Sequence, residues 1–484
     1  MGKRVRPRTG DRVMLTTGTR TARWAGALLL FGTCCTLVWM LTGEHDTGNR
    51  LAWSLAVLGA ASFIARGVYL GRPVTVGHAL TALAAVALGI AAHVVSFALL
   101  GYLLIVAAGM VLMRPTSARP DPAALPRIWG LVQRTHNDPL APFAMQRLKS
   151  YHTNADGTAV IAFRTKLGFA VVSGDPIGDW RRFPELVADF AAMCDTRGWR
   201  IAVLGCSQRR LSLWRGPSMP HGVRPIPIGR DVVVNVAGFH LSGRKFRNVR
   251  QAVQRTRNAG MSTAVVPEAD LDDALRAELA AVVRDSASGA HTERGFSMML
   301  DHTLLGEYPG VELIVARDRG GRIQGFHRYA IAGAGSDVSL DSSWRRRDAP
   351  NGIDERLSVD MIHWAKDHDA RRLSLAFAPF PEIFQETGRG ALRTVVHLLI
   401  HLGDPLIKLE SLYRYLRKFH ALRERRYVLL SLRQLPMALC ALLLLEFSPR
   451  RLPPIAGAAR TSRFPSGRRS APTRAQSGNA AKLG

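Results

Sequence analysis

Cysteine is scarce and poorly placed for chemistry. The chain has five, two of them adjacent at Cys34 and Cys35 inside an apolar run, and no CxxC pair. A disulfide framework and a structural zinc site are both excluded by that spacing. No Walker motif and no dinucleotide fingerprint occurs, which removes the common nucleotide-cofactor classes. Acids are also short: 37 Asp and Glu stand against 65 Lys and Arg, a formal net charge of +28. Anionic partners are therefore expected, although nucleic acid and an anionic membrane surface are read through the same phosphate electrostatics. A solvated, self-repelling surface is the plain alternative. With 484 residues and 47% hydrophobic content, there is room for two or three domains.

Charge is nearly missing from residues 24 to 113. A crossing takes about 20 apolar residues. Trp24 to Thr42 and Leu51 to Leu70 each fit one, with Arg66 able to snorkel at the end of the second. Val74 to Met113 fits two, folding back near His93 and Ser96. Four transmembrane helices are read, and a three-helix version stays open because no Gly or Pro marks that last turn. Lys3, Arg4, Arg6, Arg8, Arg12, Arg20 and Arg23 against Asp11 keep the N-terminus cytoplasmic. Arg66 and Arg72 flank the next cytoplasmic loop, and Arg114 and Arg119 follow the last helix, so the remainder is placed in the cytoplasm. More apolar helices follow the first at once, which favours an anchor over a cleaved signal peptide. His93 has no acidic partner in any span and reads as a helix-end histidine rather than a proton relay.

Arg114 to Pro126 is rich in Pro, Ala and Arg and reads as a linker, placed at 114–130. Short strand-like runs then alternate with helical ones. Thr158–Phe163, Phe169–Ser173 and Arg200–Leu204 form a first set with a helix at Phe183–Asp195. Asp231–Val236, a basic helix, the strand Ser262–Val266 and a helix at Asp270–Asp285 follow, and a second set begins with Glu312–Ala316 and continues through Ile323–Ile331, Asp337–Asp341, a helix at Gly352–Asp367 and the strand Arg372–Phe377. The fold class expected is α/β, with two similar fused subdomains over 131–435. Met437–Phe447 is apolar but too short to span, hence buried or interfacial. The tail at 448–484, basic and without acids, is expected to be disordered.

Three stretches could carry chemistry. SGRKFRNVRQAVQRTRNAG, at Ser242–Gly260, puts Phe246, Val249 and Val253 on one helical face and arginines around the others. A solvated basic helix and a phosphate-binding one both fit. VSGDPIGD, at Val172–Asp179, has glycines that could bring backbone N–H groups to a ligand or simply make a turn. DSSWRRRDAPNGIDE, at Asp341–Glu355, joins a strand end to a helix start, with Asn351 a good N-cap and Asp354 and Glu355 in the first turn. Those acids could hold a substrate ammonium while arginine meets phosphate. His397 and His401 lack the Glu of HExxH and a third ligand, so no metal is expected. Gln385–Gly390, QETGRG, fits the coenzyme A pyrophosphate pattern only as a short match.

Six ordered blocks resemble the phosphatidylglycerol lysyltransferase family, the multiple peptide resistance factors, and especially the transferase region of actinobacterial lysylphosphatidylglycerol synthetases. They are FRTKLGFAVVSGDPIGD (163–179), RKFRNVRQAVQRTRNAGM (244–261), TERGFSMML (292–300), SLDSSWRRRDAPNGIDE (339–355), RRLSLAFAPF (371–380) and ESLYRYLRKFHALRERRYVL (410–429). The resemblance implies tandem GNAT-type acyltransferase folds, an aminoacyl-tRNA donor, phosphatidylglycerol or another anionic lipid as acceptor, and no metal or coenzyme. A lipid hydroxyl would attack the ester joining amino acid to tRNA, which needs oriented reactants, a proton acceptor and oxyanion donors. Within that scheme Asp341, Asp354 and Glu355 are expected at the aminoacyl group. Glu293, Arg294, Arg346, Arg347 and Asn351 are expected to line the substrate pocket, and Arg244, Lys245, Arg247 and Arg250 to bind the tRNA acceptor arm.

The sequence departs from the family's S-L-D-x-M-R, reading Ser339-Leu340-Asp341-Ser342-Ser343-Trp344-Arg345, and SASGAHT at 286–292 lacks an expected tryptophan. The membrane part is shorter than a flippase-bearing one and no tRNA synthetase domain follows, so charged tRNA and a separate lipid flippase would come from elsewhere. Lysine is the expected amino acid, and the expected outcome is a change in membrane charge and resistance to antimicrobial peptides. The alternatives are an acyl-coenzyme A transferase and a non-catalytic membrane-tethered module that binds tRNA or lipid.

Overall fold

Apolar helices come first in the computed structural model, which describes residues 13–15, 20–41, 47–216, 219, 223–286, 292–293, 295–379, 414–446 and 450–451. They are α1 (Arg20–Leu41), α2 (Thr47–Tyr69), α3 (Val76–Val94) and α4 (Ala98–Leu112). The α3–α4 turn falls where the fold-back near His93 and Ser96 was expected, and no glycine marks it because it passes through Ser96, a non-glycine residue at φ 68°. Its amides are satisfied locally, with Val95 N donating to Ala91 O and Phe97 N to Ala92 O. Small residues let the helices touch: a Cβ on Gly101 would lie 2.7 Å from Gly89 O, and one on Gly109 2.6 Å from Ala60 O. Four helices were expected to cross a membrane. Among the described residues, two segments are long and apolar enough, Leu51–Tyr69 and Val76–Val94. The 15 residues of α4 reach only about 22 Å at 1.5 Å per residue, short of a hydrocarbon core of about 30 Å.

The expected linker is instead a strap tied to the domain behind it. Trp199 Nε1 donates to Thr116 O at 2.8 Å, Ala118 N to Thr165 Oγ1 at 2.8 Å, and Asp121 N to Lys149 O at 3.0 Å. Arg72 reaches Met113 O at 2.9 Å, and Arg23 pairs with Asp195 at 3.0 Å. The segments that follow α2 and α4 thus abut the turns that open the third and fourth strands of the sheet, with Pro115 at Gly168 and Gly71 and Arg72 at Gly198.

Beyond the strap, α5 (Leu125–Arg134) leads into a twelve-stranded mixed sheet. Its strands are β1 (Ser150–Thr153), β2 (Ala159–Lys166), β3 (Phe169–Ser173), β4 (Arg200–Ser207), β5 (Val223–Asn235), β6 (Ser262–Pro267), β7 (Val311–Arg317), β8 (Ile323–Ala332), β9 (Asp337–Arg345), β10 (Arg372–Pro379) and β11 (Leu422–Ser431). They lie in the order β1-β2-β3-β4-β11-β5-β10-β9-β8-β7-β6, and Ile177–Gly178 pairs with β2 off that path. Neighbours are antiparallel except in two places, β3 with β4 and β9 with β10. Each parallel pair follows an antiparallel run in a mixed α/β fold.

Helices cover both faces. α6 (Phe183–Thr196) packs Phe183, Leu186 and Phe190 on the first half. In the second half α7 (Arg247–Asn258) and α9 (Ile353–Asp367) cover one face through Val249, Val253, Ile353 and Leu357. The other face receives α8 (Asp273–Asp285) through Leu279 and Val283. α10 (Leu435–Glu446) buries Ala438, Ala441, Leu442 and Leu445, and Glu446 accepts from Phe296 N at 3.0 Å. It is the buried segment read at Met437–Phe447. Arg450 and Arg451, in the tail expected to be disordered, pair with Glu293 and Thr292; the remainder of that tail lies outside the described residues.

Candidate active site

The second parallel pair is short. β9 and β10 share only Asp337↔Arg372, Val338↔Leu373 and Ser339↔Ser374, after which β10 continues against β5 and leaves β9. Just past this fork, β9 carries an extra residue against β8: Leu340 faces Tyr329 and Ser342 faces Arg328, with Asp341 bulged between them. A bulge re-aims side chains. Tyr329 and Leu340 belong to the core under α7 and α9, whereas Phe326 and Trp344 belong to the core under α8. Alternation therefore puts His327 on the α9 face and Arg328 on the α8 face, and the bulge brings both Asp341 and Ser342 to Arg328.

Arg328 is fully buried between two acids, 2.9 Å from Asp341 Oδ2 and 2.9 Å from Glu268 Oε2. Asp341 Oδ1 accepts from Leu300 N at 2.6 Å. Burial pushes the Asp341 carboxyl up to about 6 against the opposing pull of Arg328. Burial alone would lower the Arg328 guanidinium, but Glu268 and Asp341 raise it, so it stays charged.

On this same face, next to the fork, lies a cleft of about 840 Å³, a size suited to a small-molecule or nucleotide ligand. Its floor includes Asp231, Asn235, Ser339 and Ser374, and its rim includes Arg371 and Arg423. Ser339 Oγ is buried without a hydrogen-bond partner. Behind the floor, buried Arg426 meets Asp231 and Asp138 at 2.8 Å each and Asp175 at 3.6 Å. Burial raises the Asp231 carboxyl to about 6 in spite of Arg426, and it raises Asp175 as well, helped by Asp138. The VSGDPIGD segment is thus a turn, with glycines at φ 72° and 104°, that delivers Asp175 to Arg426.

Asp354 and Glu355 sit across the sheet from Asp341, so the single pocket expected for the three acids does not form. Asp354 Oδ1 lies 3.2 Å from His327 Nε2, and Oδ2 lies 3.5 Å from Arg345. Burial would raise this carboxyl, but the His327 hydrogen bond and the charges of His327, Arg345 and Lys418 outweigh it and hold it below its ordinary value. Glu355 is taken up by Lys418. Asn351 is exposed and is not the cap. Gly352 is, at φ 100°, where a Cβ would lie 2.9 Å from Ala252 O on α7.

The arginines also divide. Arg346 leaves the expected pocket for Asp285 at 3.3 Å and Ile323 O at 2.8 Å, while Arg345 is the one that meets Asp354. Arg347 is exposed and pairs with no acid among the described residues. Arg244, Lys245 and Arg247 are exposed at the start of α7, as a phosphate-binding surface requires. Arg250 is not part of it: its guanidinium clamps Leu241 O at 2.8 Å and Gly243 O at 2.7 Å. Glu293 is in a short strand and its side chain, with Arg294, Gln385–Gly390, His397 and His401, lies outside the described residues.

Two solved structures share the fold. The structure of L-PGS from Bacillus licheniformis aligns at TM-score 0.57 and 20% identity, over 68% of this chain and 98% of that one. A C-terminal DUF2156 domain from Agrobacterium fabrum aligns at 0.58 and 21%, over 67% and 98%. In sequence, the MprF-like domain protein Rv1619 of Mycobacterium tuberculosis (strain ATCC 25618 / H37Rv) is 58% identical over 92% of this chain and 93% of its own length. The lysylphosphatidylglycerol biosynthesis bifunctional protein LysX of Mycobacterium avium (strain 104) is 31% identical over 67% of this chain, which spans 27% of LysX. Fold and relatives define a transferase. Residues 129–430 match the model for phosphatidylglycerol lysyltransferase, C-terminal. The chain belongs to that family.

Proposed function

We propose that the sheet-bearing half transfers an aminoacyl group, with lysyl the leading candidate, from aminoacyl-tRNA to a hydroxyl of phosphatidylglycerol. The reaction takes place at the cytoplasmic membrane face and adds positive charge to the lipid surface. The fork between β9 and β10 carries this assignment, because it opens the sheet between a polar cleft on one face and the ionised Asp354 on the other. The lipid hydroxyl oxygen bonds to the ester carbonyl carbon, the bond to the ribose oxygen breaks, and the hydroxyl proton ends on that ribose oxygen. Asp354, held ionised by His327 and Arg345, is the group suited to take the proton in passing.

Asp341 has both oxygens committed and acts as a positioning residue, fixing Arg328 and the Leu300 amide. Glu355 positions Lys418. Glu293, Arg294, Arg347 and Asn351 keep their assignment to the substrate rim. Arg345 replaces Arg346 as the inner arginine, and Arg244, Lys245 and Arg247 meet the acceptor arm. The two sheet halves over 131–435 are the tandem GNAT-type subdomains, and all four N-terminal helices anchor them. A separate flippase would carry the product across. The acyl-coenzyme A alternative rests on Gln385–Gly390, and no described residue favours it.

The test is incubation of the whole chain in phosphatidylglycerol vesicles with radiolabelled lysyl-, alanyl- or arginyl-tRNA. Label is expected in the extracted lipid from one donor, and Asp354→Asn should lower the rate by about 10²–10⁴-fold. A folded protein that binds tRNA yet moves no label from any donor would be a tether and not a transferase.

A further inference from the structure

We propose that the outward face of α10 lies in the cytoplasmic leaflet of the bilayer, as an interfacial helix that seats the first half of the sheet on lipid. The placement rests on the anchoring of α1–α4 proposed above and is independent of the transfer reaction.

α10 is apolar all the way round. From Leu435 to Leu445 it carries no charged side chain, and a helix of that kind is ordinarily enclosed on every side. Here only one side is. Ala438, Ala441, Leu442 and Leu445 are buried against the sheet, over Val171, Ala202 and Leu430. At 3.6 residues per turn, Met437, Cys440, Leu443 and Leu444 point the other way, and all four are exposed. Leu432, just before the helix, extends the stripe; it, Met437, Leu443 and Leu444 are 39–46% exposed. The other helices of this half of the chain show solvent a charge, Glu185 on α6, Arg255 on α7, Asp273 on α8 and Lys366 on α9. A continuous exposed apolar stripe marks a surface that meets a partner.

Position along the strands identifies that partner as the bilayer. β11 runs antiparallel to β4 with Leu429 opposite Val203, so its last residue, Ser431, comes level with Ile201. The segments after α2 and α4 abut this same end of the sheet, at Gly198 and Gly168. Val171 and Ala202, beneath the helix, each stand two positions from the strand ends at Phe169 and Arg200, about 7 Å at 3.3 Å per residue. An interfacial helix sinks about 5–10 Å into the boundary between headgroups and acyl chains, so α10 is within reach of the surface from which the membrane helices emerge. The β2–β3 turn at this end is exposed at Lys166 and at Leu167.

The surroundings are basic. Arg66 and Arg433 are exposed. Burial and the charges of Arg200 and Arg66 lower the Arg72 guanidinium to about 10, so three like charges meet where α2 joins the sheet. An apolar stripe beside such a cluster matches a leaflet that contains anionic lipid, which offers acyl chains to one and phosphates to the other. At its far end the helix is held in this rotation by Glu446, which accepts from Phe296 N at 3.0 Å and Ser297 N at 3.3 Å.

The experiment uses Cys440, which the stripe already contains. Cys194 and Cys206 are buried, and burial pushes both thiols up, so neither takes a label. In a Cys34→Ser, Cys35→Ser background a nitroxide is attached to Cys440 of the whole chain in phosphatidylglycerol-containing nanodiscs. Its access to oxygen, which concentrates in lipid, and to a neutral nickel chelate, which stays in water, is read by power saturation. Asp273→Cys with the other three replaced by Ser gives the aqueous reference, since that side chain is fully exposed, and Cys34 alone reports on α1. The oxygen-to-nickel ratio at Cys440 should exceed the reference at least threefold. A ratio equal to the reference would overturn the placement. So would low access to both reagents, which means cover by protein: by a second copy if the nitroxides broaden each other, by another segment of this chain if they do not. Lipid contact at Cys34 with an aqueous reading at Cys440 would overturn this placement and leave the anchor standing, and aqueous readings at both would overturn the two together. Lipid contact at Cys440 in a protein that transfers no label would leave the placement standing and refute the proposed reaction.

Discussion

Replacing Arg328 by Met removes the charge that separates Glu268 from Asp341 in a site where both carboxyl side chains are fully buried. Breaking one partner out of a buried ionic group costs about 3–5 kcal/mol, because the remaining charges are left uncompensated. The deficit depends on pH. Asp341 already titrates near 6 in the wild type, and without Arg328 its carboxyl moves higher still. Protonation therefore relieves the variant in acid, and its deficit should shrink to the lost hydrogen bonds, about 1–2 kcal/mol, near pH 5. At pH 8 the thermal midpoint should fall by on the order of 10 °C. The assay is unfolding of the whole chain in nanodiscs, followed by tryptophan fluorescence at pH 5 and pH 8. The triple variant Glu268→Gln, Arg328→Met, Asp341→Asn should recover most of the loss, since no charge is then buried. A single-variant loss under about 1 kcal/mol at pH 8, or one equal at both pH values, would refute the reasoning.

Other outcomes follow from the same geometry. Asp231 has a native pKa of about 6, above its ordinary value of about 3.9. The stability it contributes is therefore full below about pH 4 and lost as pH rises through 6. Asp231→Asn should flatten that part of the denaturant midpoint curve. Gly352→Ala places a Cβ at φ 100° against the Ala252 carbonyl and should cost about 1–3 kcal/mol in chemical unfolding. Arg247→Glu should weaken tRNA binding and reduce its salt slope by about one to two charges. Arg250→Ala, which loses two carbonyl contacts, should lower stability by about 1–2 kcal/mol and leave that slope unchanged.

Periodicity made the strands and helices of the sheet-bearing half legible, because alternation and helical spacing are local properties. β9 runs on to Arg345, beyond the Asp341 expected as its end, since Trp344 buries itself under α8. Closeness in sequence misled over Asp341 and Asp354, thirteen positions apart but on opposite faces, because a bulge leaves no local signal in DSSWR. Asn351 looked like the cap, yet close approach of α9 to α7 requires the glycine after it. Nothing local links Glu268 to Arg328 or Asp138 to Arg426, whose pairing is made by folding across 60 and 288 positions. One signal was available: His327 and Arg328 stand inside the otherwise buried, mostly apolar run of β8, where a charge needs a partner.

The bulge at Asp341 also gives the strand one residue of slack. Removing Ser342 would let Asp341 take its place opposite Arg328 and restore plain alternation, while every later side chain of β9 kept its face, Ser343 opposite His327 and Trp344 opposite Phe326. A single-codon deletion at this point therefore costs the bulge and nothing beyond it. Among descendants of this sequence, any shortening of β9 should fall here.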